Sequence, residues 1–172
     1  MENKKDKIED FKTAISSTVR SLSDSQKIQV FFENQVSKSE NNSIRLPNLE
    51  NRGNKINYEE IRAIADSKSL RIRFSNKKIL SKHEPKGNIS KKLYHISEKI
   101  RCEKIGTSYF KGVKNNIENF YQKRISNLDF KNSEDKIMES FENYLRVKIL
   151  DFKNFNQLEK KLKTYKKDLN QQ

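Results

Sequence analysis

Few residues in this chain could do chemistry by themselves: Cys102, His83, His95, and some arginines and carboxylates at helical spacing. Cys102 and His95 stand seven positions apart, two turns along one helix, an arrangement in which a thiol and an imidazole can serve as nucleophile and base. Nothing in the sequence activates the thiol, so the pair reads as structural. His83 lies beside Glu84-Pro85 in a connector, and His95 lies within a helix. Neither has a carboxylate or cysteine at a zinc-ligand spacing, so no metal site is expected. The four glycines, Gly53, Gly87, Gly106 and Gly112, are too dispersed for a phosphate-binding loop, which excludes ATP hydrolysis by that route.

What remains is two patterns of charged residues. The first is Arg62-x-x-Ala65-Asp66-x-x-x-Leu70-Arg71. The second is Glu98-x-x-Arg101-x-Glu103-x-x-Gly106, followed by Gly112-Val113-x-x-Asn116. Glu98 and Arg101 share a helical face, as do Arg62 and Asp66; exposed, such a pair contributes only about 0.2–0.5 kcal/mol. Buried polar pairs can instead fix how helices dock. The expectation is therefore one polar network, made by Arg62, Asp66, Arg71, Glu98, Arg101 and Glu103, between two central helices. Tyr109, Phe110 and Lys111 join rings to a cation, a combination that can stack on bases. Between two glycines they read better as anchors of an interhelical loop.

The elements that must carry these residues are mostly helices. Ile8, Phe11, Ile15, Val19 and Leu22 make one apolar stripe, predicting a helix over 5–22 that stops at Ser23-Asp24-Ser25. Lys27 to Phe32 and Ser43 to Leu46 read as strands, the second stopped by Pro47. With a polar loop over 33–42 they predict an antiparallel hairpin (about 27–47) lying against helices. After a loop over 48–55, Asn57 caps a helix that runs to about Phe74, with Tyr58, Ile61, Ala65 and Ile72 inward. Ala63, Ala65, Ser67 and Ser69 would let another helix approach closely. Residues 76–88 are a connector. The next helix, marked by Ile89, Leu93, Ile96, Ile100 and Cys102, is expected to end at Gly106 in a left-handed cap. A further helix starts after Gly112, with Val113, Ile117, Phe120, Tyr121 and Ile125. Beyond a break at 129–133, Ile137, Phe141, Tyr144, Leu145 and Ile149 mark a sixth segment. Phe155, Leu158, Leu162, Tyr165 and Leu169 mark a seventh. The expected fold class is mainly α, a multi-helix domain over 1–130 with the small hairpin. A C-terminal helical pair over 131–172 is expected to lead to a linker.

Composition narrows the function classes. The chain has 172 residues, of which 33% are hydrophobic and 35% charged, so one core is affordable but thin. The net charge is +14, which draws acidic partners at low salt. Lysine supplies 28 of the 37 positive charges, arginine only 9, and both are mixed with acids along the chain. A phosphate-reading surface leans on the bidentate guanidinium, so the charge reads mainly as solvated surface. One cysteine allows no internal disulfide and suits a reducing compartment. The N-terminus lacks the apolar run of a signal peptide, and no stretch approaches the roughly 20 apolar residues of a spanning helix. A cytoplasmic location without membrane contact is expected.

In order and spacing, the two charged patterns resemble the N-terminal region of the CobT family, a subunit of aerobic cobaltochelatase. Phe11-Lys12, the strand over 28–32, Arg45-Leu46-Pro47 and the helices after Ile137 extend the likeness over nearly the whole chain. Alanine at position 63 replaces a glycine frequent in the family, and many of its acids and alanines are Lys or Asn here. The family's C-terminal von Willebrand factor A domain, with its Asp-x-Ser-x-Ser motif, has no counterpart, so the chain is expected to be an N-terminal piece. The resemblance implies a subunit of an ATP-dependent, nitrogen–metal bond-forming ligase of cobalamin (vitamin B12) biosynthesis. That enzyme inserts cobalt(II) into hydrogenobyrinic acid a,c-diamide. The implied partners are a CobS-like AAA+ subunit, a CobN-like large corrin-binding subunit and other copies of the chain. Cobalt and Mg-ATP would be used by the whole complex, and no cofactor or catalytic residue is assigned here. Arg62, Asp66, Arg71, Glu98, Arg101, Glu103, Gly106, Gly112 and Asn116 are the implied motif and assembly residues. The reading from another class is a basic nucleic-acid-binding helical module, whose binding would weaken steeply with salt.

Overall fold

In a computed structural model, residues 4–32, 42–49, 57–126 and 133–150 are described. They form six helices and two strands in the order α1 (Lys4–Leu22), β1 (Gln29–Phe32), β2 (Ser43–Leu46), α2 (Tyr58–Phe74), α3 (Lys77–Lys82), α4 (Asn88–Tyr109), α5 (Lys111–Ser126) and α6 (Ser133–Ile149). The expected mainly-α class stands. The seventh apolar segment, and most of the loops expected over 33–42 and 48–55 and of the break expected at 129–133, lie outside the described residues.

The amphipathic stripe of α1 faces inward as its period predicts, with Ile8, Phe11, Ile15, Val19 and Leu22 buried. The helix ends in a tight reversal. Asp24 takes a left-handed backbone (φ 56°) while its amide reaches Ser21 O and the Ser25 amide reaches Arg20 O. These two bonds satisfy carbonyls that the last turn would otherwise orphan.

The two strands form a parallel pair, with Val30 opposite Ile44 and Phe32 opposite Leu46, not the expected antiparallel hairpin. Alternation of apolar and polar residues reports which face is buried and is blind to strand direction. Against α1 and the start of α2, Phe32, Ile44, Leu46 and Leu49 close one apolar cluster.

At the centre lies α2, packed against α1, β2, α4 and α5. Its N-terminus is capped as the sequence predicts, with Asn57 Oδ1 accepting the Glu60 amide at 3.2 Å. Because neighbours surround it, burial is not confined to one stripe: Ala63, Ala65, Ser69 and Leu70 are all buried. Tyr58 and Ile72, expected inward, are instead over a third exposed. The run of small residues lets several helices approach one axis.

Three other expectations change. The connector after α2 contains α3, started by Asn76, whose Oδ1 accepts the Lys78 and Ile79 amides. Gly106 does not end α4; the helix runs on to Tyr109, and no glycine has a positive φ among the described residues. The reason for the glycine is space: a Cβ there would lie 2.2 Å from Leu70 Cδ2, and Leu70 is fully buried. Phe110, extended, is the whole link to α5, so Thr107 to Tyr109 are helical and not a loop. Phe110 anchors this corner in the second apolar cluster, whereas Tyr109 is 73% exposed and meets only the rings of Phe74 and Phe110 among the described aromatics. That second cluster comprises Leu22, Leu70, Ile100, Ile117, Tyr121 and Leu150.

Candidate functional site

The second charged pattern spans the corner where α4 turns into α5, and both of its arms rest on α2. Its residues do not form one network with Arg62, Asp66 and Arg71. Successive helical positions point about 100° apart, so charged residues strung along α2 and α4 face different neighbours. They divide into three groups.

The first group joins α2 to α5. Asn116 Nδ2 donates to Asp66 Oδ2 at 2.8 Å. Burial raises the Asp66 carboxyl above its ordinary value, and the Asn116 bond and the Arg62 charge only partly offset this. Arg62 is exposed, with its guanidinium over the Phe11 ring. Gly112 stands in the first turn of α5 with open space around the position of a Cβ.

The second group closes the outer end of α2 and α4. Arg101 holds Glu98 through two bonds of 2.6 and 2.8 Å, and its Nη2 also donates to Phe74 O at 2.7 Å, where α2 ends. The Arg101 bonds to Glu98 are the main cause holding that carboxyl below the usual glutamate range. Nearby, Arg71 Nη2 meets His95 Nδ1 at 3.1 Å, and His95 Nε2 meets Glu84 Oε1 at 2.6 Å. A guanidinium can only donate, so Nδ1 accepts and Nε2 carries the proton to Glu84. Lys91 also pairs with Glu84, and its hydrogen bond is the main cause holding that carboxyl low.

The third group is buried and links four helices. Ser67 of α2 donates to Glu103 Oε1 at 2.5 Å, and Tyr121 of α5 approaches the same oxygen at 3.5 Å. From α6, Arg146 Nη2 lies 3.3 Å from Glu103 Oε2 and 2.8 Å from Glu142 Oε1. Lys99 of α4 reaches Glu142 at 3.2 Å. Glu103 and Arg146 are both fully buried. The Arg146 guanidinium lies 3.5 Å from the Tyr121 ring centroid, and that π face partly compensates for an Nε and an Nη1 that make no hydrogen bond. Burial works most strongly against the charge on Arg146, but Glu103, Tyr121 and Glu142 together outweigh it and raise the group above its ordinary value. Burial likewise opposes ionisation of Glu142, yet Arg146 and Lys99 bring its carboxyl below the ordinary value.

The pattern on α4–α5 supplies Glu103 to this cluster, but sequence reasoning took Ser67 only as a small residue and missed Lys99, Tyr121, Glu142 and Arg146. Lys99 with Glu103, and Glu142 with Arg146, are opposite charges four apart. That cue is common in a chain that is 35% charged. The stripe of α6 pointed elsewhere: Ile137 and Tyr144 are 41% and 51% exposed, while Asn143 and Arg146 are buried.

These arrangements commit each charged group to a partner. Glu103 is hydrogen-bonded to α2 and α5 through Oε1 and ion-paired to α6 through Oε2, so what the cluster does is fix helix orientation, since a misplaced helix would leave a charge buried and unpaired. Cys102 is buried, and burial pushes its thiol up to about 12, far from a thiolate nucleophile. Among the described residues, no three His, Cys, Asp or Glu side chains gather closely enough to hold a metal ion. No helix among them is long and apolar enough to cross a membrane.

The family model described as "Cobalamin biosynthesis protein CobT" matches residues 5–148, and the chain belongs to that family. No solved structure matches it significantly.

Proposed function

We propose that this member of the CobT family serves as a non-catalytic assembly and coupling domain of an ATP-dependent cobaltochelatase. In this reading cobalt(II) is the substrate metal, inserted into hydrogenobyrinic acid a,c-diamide elsewhere in a cytoplasmic complex. Mg-ATP is consumed by a CobS-like AAA+ subunit, and the corrin is held by a CobN-like large subunit. The observation that carries the reading is the family match over residues 5–148, which embraces every helix from α2 to α5. The geometry supports it: Asp66, Glu103, Gly106 and Asn116 of the family patterns pack α2, α4 and α5 together. Residues used in this way make a rigid body, which is what transmission between a motor and a catalytic subunit requires.

The test is light scattering on a sizing column, with the chain mixed with its cognate AAA+ subunit, with and without ATP. A co-eluting complex is expected. A folded chain that elutes alone from both the AAA+ and the large subunit would overturn the reading. Salt-sensitive binding to generic DNA or RNA would favour the basic nucleic-acid module in its place.

A further inference from the structure

Between β2, α2 and α3 runs an open groove of about 400 Å³. Its rim carries Arg45, Lys68, Arg71 and Lys77, and no carboxylate is among its lining residues. Its floor is aliphatic, made by Ile44, Ile72 and Leu80. Two of the rim cations are already engaged. Lys68 Nζ donates to Arg45 O at 2.6 Å, on the backbone of β2. Arg71 is bonded to His95. The other two, Arg45 and Lys77, are exposed and make no ion pair among the described residues. Ile72 is 37% exposed although it lies on the central helix.

We propose that this groove binds an acidic peptide segment of a protein partner, with an aliphatic side chain of that segment on the floor. Charge complementarity argues for the acid, because a rim of four cations without a lining carboxylate attracts carboxylates and rejects basic surfaces. The floor argues for peptide over nucleic acid. Single-stranded nucleic acid is gripped by aromatic platforms, and no aromatic ring lines this groove. As a contact within the chelatase, the inference rests on the assembly reading above; the chemistry of the groove does not.

The test is fluorescence anisotropy on the full chain, with a labelled peptide of alternating Glu and Leu. A Gln–Leu analogue and a single-stranded DNA are the comparison probes. The Glu–Leu peptide should bind at low salt and lose roughly ten-fold in affinity in the R45E/K77E variant or on changing Glu to Gln. K111E/K148E, an equal charge change at exposed sites on α5 and α6, should keep most of the affinity. Circular dichroism checks that the variants fold, and Lys77→Glu alone serves if the double variant does not. Absence of Glu–Leu binding would overturn the proposal, as would equal weakening by K111E/K148E. Tighter DNA binding that vanishes in R45E/K77E would also overturn it. Peptide failure with intact co-elution of the AAA+ subunit would sink the groove and spare the assembly reading. Peptide binding without co-elution would do the reverse.

Discussion

Arg146→Met tests the buried cluster most directly. The substitution keeps an unbranched side chain of similar reach and removes the guanidinium. Glu103, fully buried, would keep Ser67 at 2.5 Å and Tyr121 at 3.5 Å but lose its cation at 3.3 Å. Glu142 would keep Lys99 at 3.2 Å and lose a contact of 2.8 Å. Removing one partner of a buried ion pair costs about 3–5 kcal/mol, because the other charge remains desolvated. Glu103→Leu should cost about as much, since it leaves Arg146 with Glu142 and two nitrogens that already lack acceptors. Glu103→Leu with Arg146→Met replaces both charges by apolar groups, and such replacements are often neutral or stabilising. The double variant should thus be more stable than either single one, with a coupling energy of at least about 2 kcal/mol. Urea denaturation followed by circular dichroism reads all four proteins; against a total stability of about 5–15 kcal/mol these shifts are large. Two single variants each within about 1 kcal/mol of the parent, with an additive double variant, would refute the claim that a dry ion pair holds α6 on α4.

Gly106→Ala should destabilise by about 1–3 kcal/mol, because its Cβ would overlap the side chain of the fully buried Leu70, which would have to shift. Gly112→Ala, also helical but with open space, should stabilise by about 0.5–1 kcal/mol; thermal melts of the two compare crowding with helix propensity alone. Cys102 should react with a thiol reagent such as dithiobisnitrobenzoate only on unfolding, since burial pushes the thiol up to about 12; rapid labelling of the native chain would contradict its placement. Acid should destabilise the fold through Glu98 and Glu142. Their carboxyls lie lower in the folded chain than the ordinary 4.5, so their contribution is present above that value and is lost as pH falls through the folded values. Asp66 has the opposite sign: its raised carboxyl costs stability at neutral pH. Asp66→Asn should therefore be tolerated near pH 7, while Asp66→Ala strands Asn116 and lowers the melting temperature.

Much of this protein is legible in its sequence because periodicity is a local property. The stripe of α1, the cap at Asn57 and the two strands follow from residue types a few positions apart, and so does the pairing of Glu98 with Arg101. The two charged patterns marked the parts of α2, α4 and α5 that pack together, since those parts need particular residues to do so. Strand direction was not legible, because alternation looks the same in parallel and antiparallel pairs. Nor was the role of Gly106. Its signal suits a helix end, and only the position of Leu70 on another helix turns it into a close approach. Arg146 is the clearest case. The most apolar stripe on α6 would have placed its neighbours inward, but Glu103, forty-three residues earlier, is buried and needs a cation. The sequence by itself determined the fold class and the main helices, whereas α3 and the helical turn at Thr107 to Tyr109 escaped it. The tertiary structure alone decided which face of α6 turns inward, because a buried charge must be matched by whichever chain segment can reach it.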